Sequence, residues 1–146
     1  MTGFYRSDWS WVVAGFYLKG WVYVFGKYGI CQVDPKTGRH IAKNMTDFSH
    51  TRDVTMIGNK AYAVTSTGCF EIDPENCCFF RELNKVDWAH AQALVAHKGT
   101  LYAFCSNGLW TINVETGVHK NVWNRNWSTI KRHCARMVNG TCYIHF

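Results

Sequence analysis

Only two prolines occur in 146 residues, and no low-complexity or linker stretch interrupts the chain, which therefore reads as one domain. No apolar run approaches the ~20 residues of a membrane-spanning helix. No sustained apolar h-region follows Met1 to Arg6, so neither a membrane partner nor a secretion signal is expected. Acidic side chains are scarce, 10 against 16 Lys and Arg, leaving a formal net charge of +6. A Cys-x-x-Cys pair is missing, and the adjacent Cys77 and Cys78 do not have a zinc spacing. No metal or cofactor site is expected. The seven cysteines are odd in number and cannot all pair, which favours reduced thiols and a cytoplasmic protein. Cys31, Cys69, Cys105 and Cys142 stand where an apolar residue would serve. There is also no nucleophile elbow, Walker loop, His-x-x-x-His helix or repeated carboxylate pair, so catalysis is not the first reading.

What is present is a phrase said nearly four times. Thr100 to Gly117, TLYAFCSNGLWTINVETG, is matched by Lys60 to Cys77 and by Trp21 to Gly38, and a fourth copy begins with TCYIHF. The anchoring Tyr23, Tyr62, Tyr102 and Tyr143 are 39, 40 and 41 residues apart. A glycine follows the first three at Gly29, Gly68 and Gly108, and a turn residue at Asp34, Asp73 and Asn113. Apolar residues alternate along Leu101 to Phe104 and its equivalents, which predicts half-buried strands. Leu109 to Ile112 is a second strand, and Cys78 to Leu83 follows a tight turn of the Asp-Pro-Lys-Thr-Gly kind. Lys19-Gly20, Gly58-Asn59, Lys98-Gly99 and Asn139-Gly140 mark a hairpin before each tyrosine. Each unit is thus a four-stranded antiparallel meander.

Units of this length stack because none can bury both faces alone, and four-stranded units at this period read as propeller blades. The predicted fold is an all-β, four-bladed β-propeller with repeats at 8–46, 47–86, 87–125 and 126–146. The ring is expected to close when residues 1–7 add a strand to the last blade, covering its edge. A homodimer forming an eight-bladed ring is the alternative to this monomer. Val22-Tyr-Val-Phe, Gly29 and the Val-Asp-Pro-Lys-Thr-Gly turn resemble the repeat of PQQ-like propellers. The tryptophan which that family places after Thr-Gly has a counterpart only at Trp123, so the resemblance carries no cofactor site with it.

A second signature precedes each copy: Asp8-Trp9-Ser10, Asp47-Phe48-Ser49, Asp87-Trp88-Ala89 and Asn126-Trp127-Ser128. The first three stand fifteen residues before their tyrosine and the fourth seventeen. The recurring aromatic is expected to pack between blades, and the Asp to cap a local turn.

The first strand of each blade is expected nearest the axis. Twelve residues before each tyrosine stand Trp11, His50, His90 and Lys131; ten before stand Val13, Arg52, Gln92 and His133. Residues two apart on a strand share a face, which pairs His50 with Arg52, His90 with Gln92 and Lys131 with His133. With Trp11 and Arg132, these pairs are the candidate ligand-binding residues of a channel mouth. The bland alternative is a water-filled channel lined by solvated side chains.

Charge is uneven along the repeat. Segments 1–45 and 117–146, neighbours in a closed ring, together carry +9, and 46–115 carry −3. The expected function is non-catalytic recognition of an anionic small molecule or nucleotide, nucleic acid or acidic protein. The runner-up is a glycan-binding lectin with repeated aromatic pockets. Third is a lyase or hydrolase using His50 and His90 as acid and base with Arg52 steadying a developing anion.

Overall fold

The computed structural model describes residues 9–76, 78–133 and 135–144. The chain is all-β. Sheet 1 runs β1 (Val12–Leu18), β2 (Trp21–Gly26), β3 (Gly29–Val33) and β4 (His40–Asn44). Sheet 2 runs β5 (Thr51–Ile57), β6 (Lys60–Thr65), β7 (Gly68–Asp73) and β8 (Cys78–Asn84). Sheet 3 runs β9 (Ala91–His97), β10 (Thr100–Cys105), β11 (Gly108–Asn113) and β12 (His119–Trp123). Sheet 4 has two strands among the described residues, β13 (Ala135–Val138) and β14 (Thr141–Ile144). Every sheet is an antiparallel meander in chain order.

The hairpins form where glycine, lysine or asparagine takes left-handed backbone. Lys19-Gly20, Lys98-Gly99 and Asn139-Gly140 have positive φ at both positions, the two-residue geometry whose twist matches the flanking strands. At the outer turns, Asp34, Asp73 and Asn113 accept a hydrogen bond at Oδ1 from the backbone N–H two residues on, at 2.9, 3.0 and 2.9 Å. The predicted cap is present at three of its four positions, Asp8 lying outside the described residues: Oδ1 of Asp47, Asp87 and Asn126 accepts from the N–H of Ser49, Ala89 and Ser128, each at 2.8 Å.

The sheets are arranged as propeller blades. The first strands neighbour one another in series, β1 beside β5, β5 beside β9 and β9 beside β13. Apolar side chains fill the gaps between sheets. Phe16, Tyr23 and Phe25 of sheet 1 pack with Ala61, Ala63 and Ile72 of sheet 2. Tyr62 and Val64 of sheet 2 pack with Leu101, Ala103 and Ile112 of sheet 3. The signature aromatics Phe48, Trp88 and Trp127 are buried in these gaps. Their backbone N–H groups donate to the last residue of the preceding sheet's second strand, Gly26, Thr65 and Cys105, at 2.9, 3.0 and 3.0 Å. Each aromatic is therefore a staple between adjacent blades, burying apolar area and satisfying a backbone donor together.

Ring closure through residues 1–7 lies outside the described residues, and β13 is not packed against β1 in the way that joins the other first strands. Among the described residues, no helix is long and apolar enough to cross a membrane.

Candidate functional site

Counting back from the tyrosines assumed an unbroken ladder, and the structure corrects that assumption. In sheet 1, Val12 pairs with Gly26 and Ala14 with Phe25, leaving Val13 without a partner. Arg52 is skipped in the same way between Thr51 and Asp53, as is Gln92 between Ala91 and Ala93. Each of these three blades therefore has a β-bulge at the residue ten before its tyrosine. A bulge adds one residue and turns the chain, so the two counted columns do not share a face.

Trp11, His50 and His90 lie on turns just before β1, β5 and β9. The Trp11 ring sits 5.7 Å from that of Trp9 and 5.8 Å from that of Tyr28. His50 meets Phe79 edge-on at 6.4 Å. His90 lines a cavity of about 150 Å³ in sheet 3 with Asp87, Trp88, Asn107, Trp110 and His119. The two histidines thus have separate surroundings.

The bulge column does converge. Lys131, Arg132 and His133 lie in the loop before β13, whose two extra residues give it reach. His133 takes φ +65°, and its N–H donates to the carbonyl of Gln92 at 2.8 Å. Its Nδ1 lies 2.7 Å from Oδ1 of Asp53. Arg132 donates from Nη2 to the carbonyl of Arg52 at 3.4 Å, and Arg52 from Nε to the carbonyl of Ala91 at 3.3 Å. Blades 2, 3 and 4 are joined here through one cluster.

Asp53 is its hub and was not singled out by the sequence. It is 7 % exposed, and its carboxylate also accepts from the N–H of Leu94 at 2.7 Å and of Val54 at 2.8 Å. A buried carboxylate with three donors has most of its acceptor capacity engaged. Because a carboxylate only accepts, the Nδ1 facing it carries the proton, leaving Nε2 for a ligand. Nine residues before the tyrosines stand Ala14, Asp53, Ala93 and Cys134. The lone charge in that small-residue column was the available signal.

The two arginines differ from Asp53 in lacking an opposite charge. Among the described residues, no carboxylate lies within ion-pair distance of Arg52 or Arg132. Burial first, and then the Arg132 charge, lower the Arg52 pKa from its ordinary value. Arg132 reaches the Arg52 backbone, and its charge is close enough to lower the Arg52 pKa; guanidinium groups offer bidentate donors suited to an oxyanion.

A second arrangement lies in sheet 3. The Trp88 ring stands at 82° to Trp110 and at 84° to His119, with centroids 6.2 and 5.9 Å away. The indole N–H groups are occupied, Trp88 by Asn84 and Trp110 by Asn107, both at 3.1 Å. In sheet 2 the same three positions are Phe48, Phe70 and Phe79, packed on one another. The polar, open version thus belongs to sheet 3 and is not repeated in sheet 2. Among the described residues, no His, Cys, Asp and Glu cluster could hold a metal ion.

No family model matches the chain, and no curated protein matches it in sequence. Solved structures do match in shape. The computationally designed Ika4 protein aligns with a TM-score of 0.56 at 14% identity, over 97% of this chain and 94% of that one. The extracellular domain of the putative one component system BT4673 from B. thetaiotaomicron aligns with a TM-score of 0.62 at 12% identity. It covers 91% of this chain and 19% of its own. PorZ, a bacterial surface component of the type-IX secretion system of Porphyromonas gingivalis, gives 0.60 at 11% identity, over 92% of this chain and 18% of PorZ. The chain spans about a fifth of these last two. At such identities the likeness is one of fold.

Proposed function

We propose that the protein is a non-catalytic recognition module, and that its ligand is an anion held where β5, β9 and the loop before β13 meet. The observation that carries this reading is that Arg132 reaches the Arg52 backbone while, among the described residues, neither arginine has a carboxylate within ion-pair distance. Their mutual repulsion is relieved when a phosphate, sulfate or carboxylate group sits between the guanidinium groups. Asp53, engaged by three donors, orients His133, whose Nε2 adds one further contact. The chain's excess of basic residues would draw a nucleotide, a nucleic acid or an acidic protein surface toward the site. In this reading the PQQ-like turn phrase is a structural device of the repeat. The odd number of cysteines favours the cytoplasm, and burial, which pushes the Cys69 and Cys105 pKa values up to about 12, makes these two thiols packing groups rather than nucleophiles.

Calorimetric titration with inorganic pyrophosphate and with a short RNA tests the reading. Binding should weaken as salt is raised, and Arg52→Ala or Arg132→Ala should each weaken it about tenfold or more. Unchanged affinity in both variants would overturn it.

The sheet 3 cavity favours a second reading, a glycan stacked on Trp110. That reading expects binding insensitive to salt, abolished by Trp110→Ala and untouched by Arg132→Ala. Catalysis through His50 and His90 draws no support from their separate surroundings.

A further inference from the structure

The internal repeat states which surface covers which. In sheet 2, Ala61, Ala63 and Ile72 face sheet 1 and are 0, 0 and 1 % exposed, closed off by Phe16, Tyr23 and Phe25. In sheet 3, Leu101, Ala103 and Ile112 occupy the same positions, closed off by Tyr62 and Val64. Sheet 4 repeats the pattern, with Cys142 and Ile144 packed toward Tyr102 and Phe104 of sheet 3. One face of every blade is thus an aliphatic socket, and the other carries the anchoring tyrosine that fills the next socket.

Among the described residues, the two ends of the stack lack their partners. In sheet 1 the socket positions are Val22, Val24 and Val33, only half-buried, and they line an open groove of about 420 Å³. Tyr17, beside Val22 across the β1–β2 ladder, is 62 % exposed. Its equivalents Met56 and Ala96 pack against the inter-sheet clusters. At the other end, Tyr143 is 53 % exposed, where Tyr23 and Tyr62 are 6 and 2 %. It shares its face with the exposed Arg136 and Val138. These surfaces are a socket without its tyrosine and a tyrosine without its socket. Among the described residues these two surfaces do not close on each other, since β13 and β1 are not packed in the way that joins the other first strands.

We infer that a second copy of this chain covers both surfaces. Sheet 4 of each copy packs on sheet 1 of the other, giving two identical head-to-tail contacts related by a two-fold axis and a closed ring of eight blades. The occupant follows from continuity: three gaps within the chain are filled by this pairing of faces, and a second copy offers that pairing again at each open end. Uncovered apolar surface of this kind marks an interaction site. The inference is independent of the anion reading, since neither Arg52 nor Arg132 belongs to either surface.

Light scattering on the full chain decides it. The expected mass is twice the 16.8 kDa of one chain, and a monomeric mass would overturn the inference. Val24→Arg and Tyr143→Glu should each yield folded monomers. An equimolar mixture of the two should recover the dimer, because one contact then pairs Arg with Glu while the other is unaltered on both sides. A mixture that stays monomeric, or a dimer that ignores both substitutions, would show that other surfaces are used. Should either variant lose its β circular-dichroism spectrum, the mass of the unsubstituted chain alone settles the matter.

Discussion

Asp53 is the residue on which three blades depend. The repeat's own default at its position is alanine, as at Ala14 and Ala93, so Asp53→Ala separates local packing from the bridging role. Truncation leaves the buried N–H of Leu94 without its acceptor and His133 without its anchor. A loss of about 2 to 4 kcal/mol is expected in urea unfolding. A variant as stable as the parent would show that the hub contributes nothing beyond what alanine supplies. Asp47 gives a second test at this scale. Hydrogen bonds from the Ser49 side chain and then from its backbone N–H lower the Asp47 pKa from its ordinary value. A lowered folded pKa adds stability that is complete above the unfolded value near pH 4 and fades as pH falls through the folded one. Asn126 shows that an amide caps the same turn. Asp47→Asn should therefore melt closer and closer to the parent as pH drops below about 4, whereas a constant gap would contradict the assignment.

At the scale of strands and turns, much was legible and the reason is periodicity. The β6, β10 and β14 strands were marked by tyrosine and alternation, the hairpins by Lys-Gly and Asn-Gly, and the outer turns by Asp or Asn with Gly. What did not show was the bulge at Val13, Arg52 and Gln92. An extra residue in a ladder changes no composition, and here no glycine announces it. That is why the expected face-sharing of His50 with Arg52 and of His90 with Gln92 failed. The gathering of Arg52, Gln92 and His133 still emerged, because the bulge falls on one column of the repeat. Gly117 illustrates a constraint that the sequence did mark. It has φ +75°, and an added Cβ would collide with the carbonyl of Leu83 in the neighbouring sheet. The Gly117 carbonyl in turn accepts from Asn84 at 3.1 Å. Gly117→Ala should cost about 1 to 3 kcal/mol by strain and by parting sheets 2 and 3, read as a lowered thermal midpoint. No change would mean that the turn does not dock on sheet 2.

For the whole molecule, the stacking of sheets around their first strands brings residues 80 positions apart, Arg52 with Arg132 and Asp53 with His133, into one cluster. Sequence counting reached this cluster only through the repeat, and it missed Asp53 because that residue departs from the repeat. The same departure logic separates the sheet 3 cavity from its phenylalanine-filled counterpart in sheet 2. Charge and aromatic surface thus propose two different places for a ligand. Backbone amide NMR during a pyrophosphate titration compares them directly. The account predicts shifts concentrated at Arg52, Leu94, Arg132 and His133, shrinking as salt is added. Shifts confined to Trp88, Trp110 and His119, or spread evenly over the basic surface, would contradict it.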